Sequence, residues 1–230
     1  AAAGLHELAD VPVPALSGGQ AAHVALVRAL AARPAVLIVD EPLAAVDVKS
    51  AERWRRFLHA ARADRTTLLV THDALDIAHL AQDMLVMESG QVRAHGATAR
   101  LLEAPPTGFV AVLAGLNRLE GTVTEIGASA VEVACGDITV LATKEAASIE
   151  PGQKVAVTFD PHAATIGAAP EACNQWEARV LAVEATSLAA AQLRVDLGGQ
   201  EATVPVDREF ALSVAAGNIV SLTVSKANVF

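Results

Sequence analysis

Two short apolar runs, each ending in ionisable residues, constrain the fold of this 230-residue chain more than any other feature. Val36-Leu37-Ile38-Val39 leads into Asp40-Glu41-Pro42, and Thr67-Leu68-Leu69-Val70 leads into Thr71-His72-Asp73. Continuous apolar runs of this length read as strands buried on both faces of an α/β sheet. Between them, residues 49–63 carry Trp54, Phe57, Leu58 and Ala61 on one helical face. Ahead of them, Leu16-Ser17-Gly18-Gly19-Gln20 opens a stretch with Val24, Leu26, Val27 and Leu30 at helical spacing. The pattern predicts helices over 18–31, 49–63 and 74–81 and strands over 35–40 and 66–71. Met84–Met87 and Gln91-Val92-Arg93 flank a Glu88-Ser89-Gly90 turn and read as a hairpin. A helix over 98–103 runs into the breaker Pro105-Pro106. Alternating helix and strand implies a largely parallel sheet.

The polar residues around those runs suit phosphate chemistry. The first N–H groups of a helix are unpaired and partially positive. Gly18 and Gly19 let an anion approach that backbone, and the Ser17 hydroxyl adds a donor. Asp40 leaves its strand at the carboxyl end, where α/β sheets place ligands, and a carboxylate there can hold Mg²⁺. Glu41 is placed to orient or deprotonate an attacking water. The second run delivers His72 to the same sheet edge, where an imidazole can contact a transferring phosphate. No G-x-x-x-x-G-K-[ST] phosphate loop occurs in the 230 residues.

From Asn117 the texture changes to short strands punctuated by Gly and Pro, and the segment repeats itself. Asn117-Arg118-Leu119-Glu120-Gly121-Thr122-Val123 echoes Asn174-Gln175-Trp176-Glu177-Ala178-Arg179-Val180. Glu150–Val157 echoes Ala215–Leu222. Each half has the length of a small five-stranded barrel. The reading is residues 1–103 α/β, 104–116 linker and 117–230 all-β, with repeats about 117–167 and 174–230. Cys135 and Cys173 are far apart in sequence and read as free buried thiols.

Leu16–Gln20, Asp40-Glu41, Asp47 and His72, in this order and spacing, resemble the ATP-binding subunits of ABC transporters. The resemblance implies the C-terminal half of a nucleotide-binding domain, with the phosphate loop belonging to sequence upstream of Ala1. It implies ATP and Mg²⁺ as cofactors, with Asp40 on the metal, Glu41 as base or water-orienter and His72 at the γ-phosphate. Two copies then face head to tail, and Leu16, Ser17, Gly18, Gly19 and Gln20 complete the partner's ATP site. Asp47 is the dimer-interface residue of Ala44-Ala45-Val46-Asp47, where the family usually has Ser-Ala-Leu-Asp. The β half resembles the transport-associated OB-type barrels of oxyanion and sugar importers, the molybdate-binding version most of all. There the resemblance makes Asn117, Lys144 and Asn174 oxyanion candidates. Glu171-Ala172-Cys173-Asn174 stands where those proteins often carry Ser-x-Arg-Asn, and only the Asn matches.

The resemblance thus implies an ATPase subunit of an importer, peripheral at the cytoplasmic face of the membrane, with permease subunits as partners and molybdate or a related oxyanion as cargo. A sulfate or sugar importer, a stand-alone oxyanion sensor and a soluble ABC-type ATPase are the alternatives. The net charge of −9 and pI near 5.2 argue against a nucleic-acid partner. Although 53% of residues are hydrophobic, no apolar stretch approaches the ~20 residues of a membrane span.

Overall fold

In the computed structural model, described over residues 5–62, 65–144, 149–167, 174–187 and 189–230, the helices and strands expected between residues 18 and 103 all form, most of them within a residue or two of their expected limits; the second hairpin strand runs on to Ala97, and residue 63, the expected end of the 49–63 helix, lies outside the described residues. Ser17 starts α1 (Gly18–Ala31) through a reciprocal capping box: its hydroxyl accepts from Gln20 N–H, and Gln20 accepts from the Ser17 N–H. β1 (Val36–Asp40) follows, then α2 (Val48–Ala61), β2 (Thr66–Val70) and α3 (Ala74–Leu80). Asp47 and Asp73 cap α2 and α3 by accepting from Ser50 N–H and Asp76 N–H. β1 and β2 pair in parallel, with Asp40 opposite Val70. A right-handed β1–α2–β2 crossover is the usual way to connect such strands.

The core under this sheet is Leu26, Leu30, Leu37, Leu43, Ala51, Trp54 and Leu58. Expected burial of β1 and β2 on both faces is not met. Leu37 is buried, but Val36, Ile38, Leu68 and Val70 are half or more exposed. The described helices pack on the Leu37 face of the pair, and the apolar side chains that alternate to the other face are left largely uncovered by the described residues. β3 (Asp83–Glu88) and β4 (Gln91–Ala97) form the expected hairpin. Ser89 and Gly90 both take positive φ at its turn, as a two-residue turn of this hand requires.

The chain divides into two units, Ala1–Leu101 and Leu102–Phe230. α4 (Thr98–Glu103) follows β4, and a short α5 (Gly108–Leu113), capped by Thr107, stands in the stretch read as a linker. In the second unit β5 (Asn117–Ile126), β6 (Ala130–Cys135), β7 (Ile138–Lys144) and β8 (Lys154–Phe159) form the first four strands of a barrel. β9 (Ala164–Ile166) leaves them. β10 (Asn174–Ala185), β11 (Ala190–Leu197), β12 (Gln200–Asp207) and β13 (Ile219–Val224) repeat the plan, with α6 (Arg208–Ser213) before β13, and β14 (Asn228–Val229) comes last.

The two repeats are not self-contained barrels, as the sequence reading had them. β14, from the second repeat, pairs with β7 and β8 and closes the first barrel. β9, from the first repeat, pairs with β13 and extends the second sheet. Each repeat therefore lends its last strand to the other. The closures differ. In the first barrel Thr143 N–H donates to Ala227 C=O at 2.7 Å. The β6–β7 and β11–β12 registers put Pro205 at the matching place in the second repeat. Proline has no N–H to offer, and no ladder joins β9 to β12 among the described residues.

The repeated asparagines tie the halves together. Asn117 donates from Nδ2 to Thr203 C=O at 2.8 Å and accepts from Thr203 N–H at 2.7 Å. Asn174 does the same to Leu141, both at 2.8 Å. Thr203 and Leu141 are equivalent positions of β12 and β7. Gln200 adds a bidentate contact to the Glu120 backbone, and Trp176 Nε1–H donates to Thr139 C=O. The hairpin turns meet so closely that a Cβ on Gly136, already at φ 59°, would land on the Gly198 carbonyl.

Asn117→Ala and Asn174→Ala each leave a part-buried backbone N–H and C=O without a partner. Each is expected to cost about 1–3 kcal/mol. Urea unfolding followed by Trp176 emission in a Trp54→Phe background measures this, and unchanged midpoints in both variants would contradict it.

Candidate functional site

The parallel β1–β2 pair decides where the ionisable residues go. Glu41 N–H extends the ladder by donating to Val70 C=O at 2.9 Å. Glu41 itself sits at φ 43°, a left-handed conformation that a side chain such as Glu adopts at a cost of about 1–3 kcal/mol. That turn aims its carboxylate at the chain leaving β2. His72 Nδ1 lies 2.6 Å from Glu41 Oε1. The pair is open to solvent, with His72's side chain 74% exposed and Glu41's 34%. The hydrogen bond to Glu41, then its charge and that of Asp73, raise the His72 pKa above 6.5. Asp40, one residue back, is exposed at the end of β1. Its carboxylate hydrogen-bonds to no other side chain or N–H among the described residues, which suits a group that is to hold Mg²⁺ directly or through water.

The LSGGQ segment and the Asp47 segment lie side by side. A Cβ on Gly19 would come 2.8 Å from Ala45 C=O, so this position needs glycine for close approach as well as for access to its N–H. Ser17 and Gly18 are exposed, Gly19 and Gln20 half-buried, and Leu16 half-buried behind them. The Ser17 hydroxyl accepts from Gln20 N–H and keeps its own proton to donate. Gln20 spends its side-chain oxygen on the cap. Asp47 accepts from Ser50 N–H at 3.0 Å, and hydrogen bonding by Ser50, its side chain first and then its N–H, lowers the Asp47 pKa.

Arg55 and Asp76 were not singled out from the sequence. Arg55 is 8% exposed and Asp76 2%. Arg55 Nε donates to Asp76 Oδ1 at 2.5 Å and Nη2 to Asp73 Oδ1 at 3.3 Å. The available signal was an Arg inside the buried α2 stripe of Ala51, Trp54 and Leu58. Two acids three residues apart follow His72 directly.

The oxyanion candidates fare differently. The Asn117 and Asn174 side chains are buried and each exchanges a pair of hydrogen bonds with a backbone partner, so in this structure they act as latches. Lys144 is exposed on β7. Glu171, Ala172 and Cys173 lie outside the described residues. Cys135 is buried in the first barrel, and burial pushes its thiol up to about 11, which fits an inert core residue. No group of His, Cys, Asp or Glu among the described residues has the arrangement of a protein-only metal site.

Known proteins match on both units. The ABC transporter family matches residues 1–44, which holds LSGGQ, Asp40 and Glu41, and the TOBE domain matches residues 170–230. Residues 1–44 thus match part of an ABC transporter ATP-binding domain and residues 170–230 a TOBE domain, and the homologues include import ATP-binding proteins of ABC transporters. The molybdenum import ATP-binding protein ModC of Mycobacterium tuberculosis is 45% identical over 119 residues, covering 51% of this chain and 32% of that protein. The sulfate/thiosulfate import ATP-binding protein CysA 1 of Chromobacterium violaceum is 35% identical over 232 residues, covering 97% of this chain and 62% of that protein. The chain therefore spans from about a third to somewhat under two thirds of the length of these curated relatives. A solved structure of the cytoplasmic molybdate-binding protein ModG, with molybdate bound, covers 50% of this chain and 93% of its own at 23% identity and a TM-score of 0.40.

The His72 shift sets a pH signature. A base whose folded pKa is raised stabilises the fold fully below its unfolded value and loses that contribution as pH rises through the folded value. The unfolding free energies of the wild type and His72→Gln should therefore differ more in mildly acidic solution, below the ordinary histidine value, than in alkaline solution, where they converge. A difference that grows with alkaline pH would contradict the pairing.

Proposed function

We propose that this chain supplies the catalytic and signature half of the ATP sites in a homodimeric ABC importer ATPase. The observation that supports it best is the 2.6 Å contact of His72 with Glu41 at the carboxyl ends of two parallel strands, beside an exposed Asp40. In this reading Asp40 would hold Mg²⁺, which would supply neutralisation of phosphate charge. Glu41, oriented by His72, takes a proton from water or aligns it for in-line attack. The imidazole, favoured in its charged form by Glu41 and Asp73, steadies the γ-phosphate oxygens. Ser17, Gly18 and Gly19 present a hydroxyl and the α1 N–H groups to the nucleotide of the second copy. Gly19 against Ala45 ties that cradle to Asp47 at the dimer interface.

The phosphate loop that grips ATP comes, in this reading, from sequence the chain does not contain. The subunit acts at the cytoplasmic face of the membrane with permease partners. No helix among the described residues is long and apolar enough to cross a membrane. The cargo is an oxyanion, molybdate first. The sulfate/thiosulfate relative, which aligns along nearly the whole chain, supports sulfate as the second reading.

This chain alone should show no Mg²⁺-dependent ATPase above its Glu41→Gln variant, because phosphate-loop backbone and Lys supply most phosphate binding. In a polypeptide that joins the chain to a phosphate loop, Glu41→Gln should lower turnover by about 10²–10⁴ while ATP binding persists. ATPase rates beside equilibrium nucleotide binding measure both. Turnover at the wild-type rate in the Gln variant would remove Glu41 from the mechanism.

A further inference from the structure

His72 is exposed and its backbone lies between β2 and α3, outside the ladder that fixes Glu41. A side chain held only by one solvent-facing hydrogen bond samples several rotamers. The surrounding polar groups restrict it. Thr71 Oγ1 accepts from Asp73 N–H at 3.1 Å, closing a tight turn around His72. Thr71 Oγ1 also reaches Asp76 Oδ2 at 3.5 Å, and Asp76 N–H donates to Asp73 Oδ1 at 2.9 Å. Both carboxylates end on the buried Arg55 guanidinium. Arg55 lies on α2, the helix that Asp47 opens. The planar fork of Arg meets two acids at once, which a point-charge Lys does not reproduce. An uncompensated Asp76 in that place would be strongly destabilising, so the pair is closed in the folded protein.

We propose that Arg55 is a positioning residue for His72: it clamps Asp73 and Asp76, fixes the Thr71–Asp73 turn, and so holds the imidazole against Glu41 while fastening that turn to the Asp47 helix. Arg55 does not touch the reacting groups. The inference deepens the ATPase reading and rests on it for its meaning. It gives the Asp47 segment a mechanical link to His72, so that a change at a dimer interface built on Asp47 reaches His72 through α2.

The test is imidazole NMR of the ¹⁵N-His-labelled chain, with His72 signals assigned through His72→Gln. It reads positioning whether or not the chain serves an ATPase, so its failure and that of the Glu41 turnover test are separate results. Clamped against a carboxylate through Nδ1, neutral His72 keeps its proton on Nδ1. Arg55→Met should release the turn, move that proton to Nε2 and lower the His72 titration midpoint toward the ordinary value. The sign is decisive. Glu41 and Asp73 are the acids that raise His72. If Arg55 acted only as a nearby positive charge, its removal would raise the midpoint and leave the tautomer alone. Thr71→Val tests the same turn without changing any charge and should shift both readouts in the same direction. The Trp54 indole signal monitors folding. Should Arg55→Met fail to fold, Thr71→Val decides. An unchanged tautomer in the folded variants, or a raised midpoint after Arg55→Met, overturns the proposal.

Discussion

The first unit depends on one parallel strand pair. Five residue pairs between β1 and β2, extended by Glu41 N–H to Val70 C=O, bring side chains 31 positions apart within hydrogen-bond distance. A parallel pair cannot be closed by a tight turn, so the intervening helix is obligatory, and α2 must pack back on the sheet. That packing is what buries Trp54 beside Leu58 and carries Arg55 to Asp76. Shift the register by one and Asp40, Glu41 and His72 no longer share an edge.

Most of this unit was legible because its signals are local. Ser17 and Gln20 sit at capping-box spacing, Asp47 and Asp73 each precede a helix, and continuous apolar runs mark both strands. The exposure of Val36, Ile38, Leu68 and Val70 was not legible, since an apolar run says that a face can be covered and not which element covers it. The Arg55 clamp was hidden for another reason. Its partners lie 18 and 21 residues away, and nothing in the helical pattern separates an Arg that turns inward from one that snorkels to water.

In the second unit the repeat was visible but its use was not. Similar sequences encode similar strands, yet which sheet receives β9 or β14 is a matter of chain path, and two- or three-residue strands carry almost no signal of their own. The asparagines that open each repeat looked like ligand groups. Their bidentate bonds to Thr203 and Leu141 give a structural account of the same repetition. One departure from the repeat is readable afterwards in physical terms: Pro205 stands where Thr143 makes the bond that seals the first barrel, and the second stays unsealed. The exchange of strands makes each half contribute to the other's sheet.

The central claim is that Asp40, Glu41 and His72 act together on one nucleotide at this strand edge. A crystal structure answers it most directly: a polypeptide joining this chain to a phosphate loop, carrying Glu41→Gln, grown with ATP and Mg²⁺. The account predicts Mg²⁺ within direct or one-water reach of Asp40, the His72 imidazole within hydrogen-bond distance of a γ-phosphate oxygen, and a second copy's Ser17 on the opposite side of the same nucleotide. Nucleotide bound away from His72, or metal held by other residues with Asp40 left in solvent, would contradict it.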